Sequence, residues 1–199
     1  MLNATPTNYK VLDKNNLEVK SYTLDIRTIK DSDLCTMYDE ENNITRVNFS
    51  DKNGFTTKFE WRTNGMDIKG HIKNNRLYYK GNLNGESINI VIPLEEGVPF
   101  IFNTRNALTP FILSDKESLY MYVTSSESLS AYKFEATKEG EVKLKIDEVE
   151  YDAIEVEFSM AGFIGLFMGS DLLYFDKESG KFLKRVDNRR EREELIDVD

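Results

Sequence analysis

Few side chains in this chain have the chemistry that catalysis needs. There is one histidine, His71, and one cysteine, Cys35, which excludes most zinc sites and the catalytic triads that depend on histidine. His71 alternates with apolar residues on a predicted strand and shares its charged face with Asp67 and Lys69. We therefore interpret His71 as solvent-exposed. Cys35 has no basic neighbour that would activate its thiol, so we expect a buried, unreactive side chain.

A pair of glutamates offers the main enzymatic alternative. Glu155 and Glu157 are two residues apart on a predicted strand, which places their carboxyl groups on one face about 7 Å apart. That separation suits an inverting glycosidase. The other interpretation is a pair of acids on a wet sheet face, opposite Lys143 and Lys145. We favour the second interpretation and predict no enzyme, no catalytic residue, no cofactor and no metal site. A carbohydrate-active enzyme using Glu155/Glu157 stays the third hypothesis.

The dominant pattern is alternation of apolar and polar residues, which is typical of β-strands. Phe59 and Trp61 share one side of such a run, whereas Lys58 and Glu60 share the other. Turn signals rich in Asn, Asp and Gly separate the runs at spacings of about eight to twelve residues. The sequence therefore predicts an all-β fold. It forms one domain over residues 1–199, a single antiparallel meander of about ten to twelve strands.

Three stretches depart from the alternation. Residues 93–118 hold three of the four prolines and predict a crossing segment between two halves of the sheet, with a helical turn near residues 106–113. Residues 161–171 are apolar and rich in glycine. Residues 187–199 are almost all charged and predict a frayed helix or a disordered tail. Because amphipathic helices are too few to cover the apolar face, we expect the sheet to curl into a half-barrel or barrel with one or two short helical segments.

Residues 150–156 and 173–185 resemble the closing strands of certain bacterial proteins of unknown function, whose fold is similar to that of lipoprotein carriers. Residues 58–61 and 77–85 are compatible with the same pattern. The resemblance implies a curled antiparallel half-barrel. It also implies a role as a scaffold or a carrier of an apolar ligand, without catalytic residues. Many proteins of this group begin with an export signal.

Aromatic residues supply the functional hypothesis, because a curled sheet can enclose an apolar cavity. The leading hypothesis is a non-enzymatic protein that binds an apolar or amphipathic small ligand in the concavity of the sheet. The alternative is an acidic protein–protein interaction module of the inhibitor or immunity type. The predicted ligand-contacting residues are Phe59, Trp61, Ile68, Tyr79, Phe163 and Phe167.

The charge balance bears on partners and location. The chain has 26 Lys and Arg against 35 Asp and Glu, a formal net charge of −9. This excess argues against nucleic acid or an anionic membrane surface as the main partner, and favours a hydrophobic small molecule or a protein. No stretch approaches the ~20 apolar residues of a transmembrane segment. No signal peptide pattern opens the chain, so we expect a cytoplasmic protein, or a cell-envelope protein if a signal was removed.

Overall fold

The computed structural model describes residues 6–13, 15, 17–29, 32–39, 43–124, 128–162, 169–187 and 192–196. Fifteen strands and two helices of four residues each lie within these ranges. The strands are β1 Thr7–Leu12, β2 Glu18–Ile29, β3 Ser32–Asp39, β4 Ile44–Ser50, β5 Thr56–Thr63, β6 Met66–Lys73, β7 Arg76–Leu83, β8 Glu86–Pro93, β9 Phe100–Ile101, β10 Ser118–Thr124, β11 Ala131–Ile146, β12 Val149–Met160, β13 Ser170–Asp176, β14 Phe182–Val186 and β15 Arg192–Ile196. The helices are α1 Thr104–Ala107 and α2 Thr109–Ile112.

All these strands belong to one sheet, made of two antiparallel meanders that meet in the middle. Strands β1 to β8 pair consecutively along one half, and β10 to β15 along the other. The first described strand, β1, pairs antiparallel with the last, β15, so these two strands lie at the centre of the sheet. The short β9 pairs parallel with β10, which leaves β8 and β9 at the two edges. The expected all-β, curled half-barrel is confirmed, but the described strands number fifteen instead of ten to twelve, and one pair, β9 with β10, is parallel.

The alternation within the strands is confirmed where it is most regular. On β5, Phe59 and Trp61 are buried, whereas Lys58 and Arg62 are exposed. The neighbouring residues of a strand point to opposite faces, so this pattern places one apolar face of the sheet inward.

A β-bulge changes the pattern at the start of β5. The alternation places Thr57 on the inner face, but Thr57 is exposed and Thr56 is buried instead. The register shifts by one residue opposite Phe49 and Ser50, and such a shift exchanges the two faces. The inward hydroxyl of Thr56 accepts a hydrogen bond of 2.9 Å from the backbone N–H of Phe102.

The crossing segment predicted for residues 93–118 is confirmed together with its helical turn, and in the structure it spans residues 94–117. It runs from β8 to β10 and contains β9, α1 and α2. The side chain of Asn103 caps α1 by accepting a hydrogen bond from the backbone N–H of Arg105. Pro110 lies in the first turn of α2, where its missing N–H has no helical partner.

The core lies between the inner face of the sheet and the crossing segment, in two clusters. The larger cluster joins Tyr9 and Phe175 of the sheet with Leu108 and Phe111 of the crossing segment. The second cluster joins residues of β5, β6 and β7 with the start of the crossing segment. Because the crossing segment contributes to both clusters, it occupies the concavity of the sheet.

The prediction for residues 187–199 is wrong where the structure describes them. Residues 192–196 form β15, neither a helix nor a disordered tail. This strand pairs with β1 on one side and with β14 on the other. Without it, β1 and β14 would each present an unpaired edge, and backbone pairing does not depend on whether the side chains are charged.

Candidate functional site

Four of the predicted ligand-contacting residues lie together. Phe59, Trp61, Ile68 and Tyr79 share the inner face of β5, β6 and β7, and each is at most 3% exposed. We call these four residues, with Phe100 and Phe102 of the crossing segment, the aromatic cluster. Phe163 and Phe167 lie outside the described residues.

The crossing segment covers the aromatic cluster directly. The ring of Phe59 stacks on that of Phe102 with a centroid distance of 4.3 Å, and it also contacts Phe100 at 5.7 Å. The rings of Tyr79 and Phe59 form a T-shaped pair with a centroid distance of 5.6 Å. These rings are packed against one another, and their role as ligand contacts stays a prediction.

Polar atoms are buried beside the aromatic cluster. Within the described ranges, the indole N–H of Trp61 and both amide atoms of Asn48 are buried without a hydrogen-bond partner. Asn48 lies opposite Phe59 in the sheet and is 1% exposed. The guanidinium of Arg46 lies 4.6 Å from the centroid of the Trp61 ring. A buried polar group left without any partner costs about 1–3 kcal/mol, and a bound water or ligand that supplies the hydrogen bond removes that cost.

Tyr79 carries the only hydroxyl of the aromatic cluster. Its hydroxyl shares a hydrogen bond with Thr124 Oγ1 at the end of β10. Burial raises the pKa of Tyr79 from 10.0 to about 12, because the phenolate would lose its hydration. The folded protein therefore keeps this proton up to a higher pH than the unfolded chain does.

Replacing Tyr79 by Phe should remove part of the alkaline instability of the protein. In the wild type the unfolded chain releases this proton near pH 10 and the folded chain near pH 12, so stability falls between these values. Phe has no proton to release, so urea unfolding of Tyr79→Phe should show a decline that is weaker by up to about 1.4 kcal/mol per pH unit. The control is the exposed Tyr132. If the unfolding free energies of Tyr79→Phe and Tyr132→Phe decline equally with rising pH, burial does not raise the pKa of Tyr79.

A groove opens beside the helices, between the crossing segment and strands β1, β2 and β14. Its cavity volume is about 300 Å³. The apolar part of its wall comes from both the sheet and α2, and consists of Tyr9, Leu24, Ile26, Pro110 and Phe182. We call this cavity the α1 groove.

Two polar residues of α1 line the same groove. Arg105 donates a hydrogen bond of 2.7 Å from Nε to the hydroxyl of Tyr22, and its guanidinium lies over the rings of Tyr22 and Phe182. Asn106 is 8% exposed, and its Oδ1 has no hydrogen-bond partner in the described part of the chain. The sequence interpretation missed both residues. The Asn103–Thr104 helix start was the only local signal, and it does not reveal which strands α1 approaches.

The glutamate pair lies on β12, away from both of these features. Glu155 accepts a hydrogen bond from Tyr174, and burial together with this carboxylate raises the pKa of Tyr174 to about 12. The expected pairing with the lysines of β11 is wrong. Lys143 lies opposite Asp152, 2.7 Å from its carboxylate, because the register of the β11–β12 hairpin differs from the one we assumed.

The lone histidine and the lone cysteine lie where the sequence placed them. His71 is exposed, with its ring stacked on Tyr78 at 4.8 Å. Cys35 is fully buried and its Sγ accepts a hydrogen bond of 3.4 Å from Asn103. Among the residues that the structure describes, no group of three or more His, Cys, Asp or Glu could hold a metal ion.

Comparisons with known proteins identify the fold. No family model matches the chain, and no curated protein does. A β-barrel-like protein of the domain of unknown function DUF1849 from Brucella abortus is similar over 98% of this chain and 96% of its own, with a TM-score of 0.59 and 7% identity. The hypothetical lipoprotein YmcC from Escherichia coli K12 is similar over 98% of this chain and 88% of its own, with a TM-score of 0.42 and 10% identity. The expected resemblance to bacterial proteins of unknown function is confirmed.

The described part of the chain contains no helix with the length and apolar character that crossing a membrane requires.

Proposed function

We propose that this protein is a non-enzymatic carrier or receptor for an amphipathic small molecule, bound in the concavity of the sheet at the α1 groove. The observation that carries the proposal is the combination of an apolar wall with a buried, unsatisfied amide oxygen at Asn106. Ligand pockets are mostly apolar, with a few polar groups that fix orientation, and a volume of about 300 Å³ lies at the lower end of their range.

The wall of the α1 groove suits a molecule with an apolar portion and a hydrogen-bonding end. Leu24, Ile26 and Phe182 offer apolar surface to one end of such a molecule. A hydroxyl or amide donor at the other end would satisfy Asn106 Oδ1, whose isolation otherwise costs about 1–3 kcal/mol. The aromatic cluster lies on the same inner face of the sheet, at β5, β6 and β7, and we propose it as the contact surface for longer ligands.

Titration with the amphipathic dye 1-anilinonaphthalene-8-sulfonate tests this proposal. We expect stoichiometric dye binding to the folded protein. Ile26→Asn, which places an amide in the groove wall, should weaken it at least about tenfold, since one buried aliphatic side chain contributes about 1.5–3 kcal/mol. The matched control is Ile154→Asn, a half-buried isoleucine of β12 that packs against the larger cluster but lines neither the α1 groove nor the aromatic cluster. Ile154→Asn should bind the dye as the wild type does.

The single tryptophan gives a second measurement. Trp61 is buried in the aromatic cluster, so a change in its emission during a titration with a fatty acid would show that the ligand reaches that cluster. Dye binding without such a change confines the ligand to the α1 groove. If no dye binds stoichiometrically, the proposal is wrong and the acidic interaction module becomes the better hypothesis.

A further inference from the structure

The outer face of β5–β8 concentrates positive charge in an acidic protein. Residues 56–93 contain six Lys and Arg but only three Asp and Glu, a local net charge of +3 in a chain of −9. All six cations are exposed and alternate with buried residues such as Phe59, Ile68 and Leu77, so they lie on the convex side of the sheet. We call them the basic face: Lys58, Arg62, Lys69, Lys73, Arg76 and Lys80.

The strand register brings some of these cations directly against one another. Lys69 lies opposite Lys80, and Lys73 lies opposite Arg76 across the β6–β7 turn. Like charges in directly opposed positions of an antiparallel pair are destabilising. Lys69 is also paired with Glu60, so the repulsion between Lys73 and Arg76 has less compensation, and an anion bound to the face would relieve it.

Carboxylates on the same face compensate only one end of the basic face. Glu60 forms ion pairs with Arg62 and Lys69, and Asp67 lies 3.7 Å from Arg62. For the other four cations the described residues provide no carboxylate within ion-pair distance. These four, the uncompensated part of the face, are Lys58, Lys73, Arg76 and Lys80.

We propose that the basic face docks on an anionic lipid surface. Long, solvated side chains on a broad convex face match mobile lipid headgroups, whereas a protein partner is usually held by aromatic anchors that become buried. Stacking of nucleic-acid bases needs open aromatic rings, and here His71 and Tyr78 stack on each other. The exposed Val91 continues the row of Lys58, His71 and Tyr78 at the sheet edge, where it can contact the lipid interface.

The overall negative charge does not prevent this contact. Salt screens exposed charges beyond a Debye length of about 8 Å at physiological ionic strength. A docked lipid surface therefore interacts more strongly with the basic face than with the distant acidic residues. Each Lys or Arg near an anionic membrane strengthens binding roughly fivefold. Binding of the basic face to lipid does not depend on which molecule occupies the concavity, because the two lie on opposite faces of the sheet.

Flotation with lipid vesicles tests the proposal. We expect the wild type to bind phosphatidylcholine vesicles that contain phosphatidylglycerol, to bind pure phosphatidylcholine weakly, and to be released by high salt. Changing Lys58, Lys73, Arg76 and Lys80 together to Gln should weaken binding by on the order of a hundredfold or more. The matched control changes four exposed lysines outside the face, with the same effect on net charge: Lys52, Lys116, Lys143 and Lys145 to Gln.

The control variant should bind as the wild type does, and circular dichroism checks that both variants fold. Equal losses in the two variants would show that total charge, and not this face, governs binding, which would overturn the proposal. The proposal would also be overturned if the wild type bound vesicles with and without phosphatidylglycerol equally. Binding to a single-stranded oligonucleotide in preference to the vesicles, lost in the four-residue variant, would identify a nucleic-acid surface instead.

Discussion

Replacing Phe59 by Ala should destabilise the protein by about 3–5 kcal/mol, through the lost burial of the ring and the cavity that remains. Phe59 is 1% exposed and contacts the rings of Phe100, Phe102 and Tyr79. Its ring also lies on Gly70, where an added Cβ would come within 2.0 Å of it. Gly70 has no side chain that could move into the vacated space, so the cavity would stay open.

Lys58 is the matched control for Phe59, because it is the preceding residue and points to the opposite face. Lys58→Ala should change stability by less than about half a kcal/mol. Urea unfolding curves of the two variants measure both effects. A larger loss for Lys58→Ala than for Phe59→Ala would mean that β5 faces the other way, and that the aromatic cluster is not the core.

Replacing Gly54 by Ala should cost about 2–5 kcal/mol, because two separate effects combine at this turn. Gly54 has a φ of +82°, a conformation that costs a residue with a Cβ about 1–2 kcal/mol. The added Cβ would also lie 2.2 Å from the carbonyl oxygen of Ala107 in α1. Backbone atoms cannot rotate away, so α1 must shift, and forced overpacking of this kind costs about 1–3 kcal/mol more.

Gly97 separates the two effects. Its φ is +80°, nearly that of Gly54, but a Cβ built on Gly97 meets no atom within 4 Å. Gly97→Ala should therefore cost only the conformational part, about 1–2 kcal/mol. The difference between the two variants in urea unfolding measures the contact of the β4–β5 turn with α1. Equal losses would show that α1 is not held against this turn.

The Gly54 variant also connects stability with the proposed ligand site. Arg105 and Asn106 of α1 line the α1 groove, and Ala107 is the α1 residue that Gly54 contacts. A shift of α1 away from the turn changes the position of these polar groups relative to β1 and β2. Dye binding should then weaken in Gly54→Ala and persist in Gly97→Ala.

Much of the fold could be predicted because its signals are local. The alternation of Phe59 and Trp61 with Lys58 and Glu60 follows from the period of a strand, whichever strands lie beside it. Turns at Asn74–Asn75 and Asn84–Gly85 adopt the positive φ values that these residues tolerate. The prolines of the crossing segment interrupt pairing because proline lacks a backbone donor. Each of these properties acts within a few residues of the chain.

The site could be predicted only in part. The alternation placed Phe59, Trp61 and Ile68 on one face of adjacent strands, and the structure brings them together with Tyr79, which was predicted only from its residue type. It missed Arg105 and Asn106, because the helix that carries them meets β1 and β2 from about eighty residues away in the chain.

By itself the sequence determined most of the strands, the inner and outer faces of the most regular ones, most of the turns and the position of the crossing segment. Only the tertiary structure decided that 192–196 pairs between β1 and β14, that Lys143 faces Asp152, and that six cations form one face of an acidic protein. The physical reason is the range of the interactions. Side-chain alternation and turn conformation are set by neighbouring residues, whereas register and strand order depend on backbone hydrogen bonds between distant segments, which almost any side chain permits.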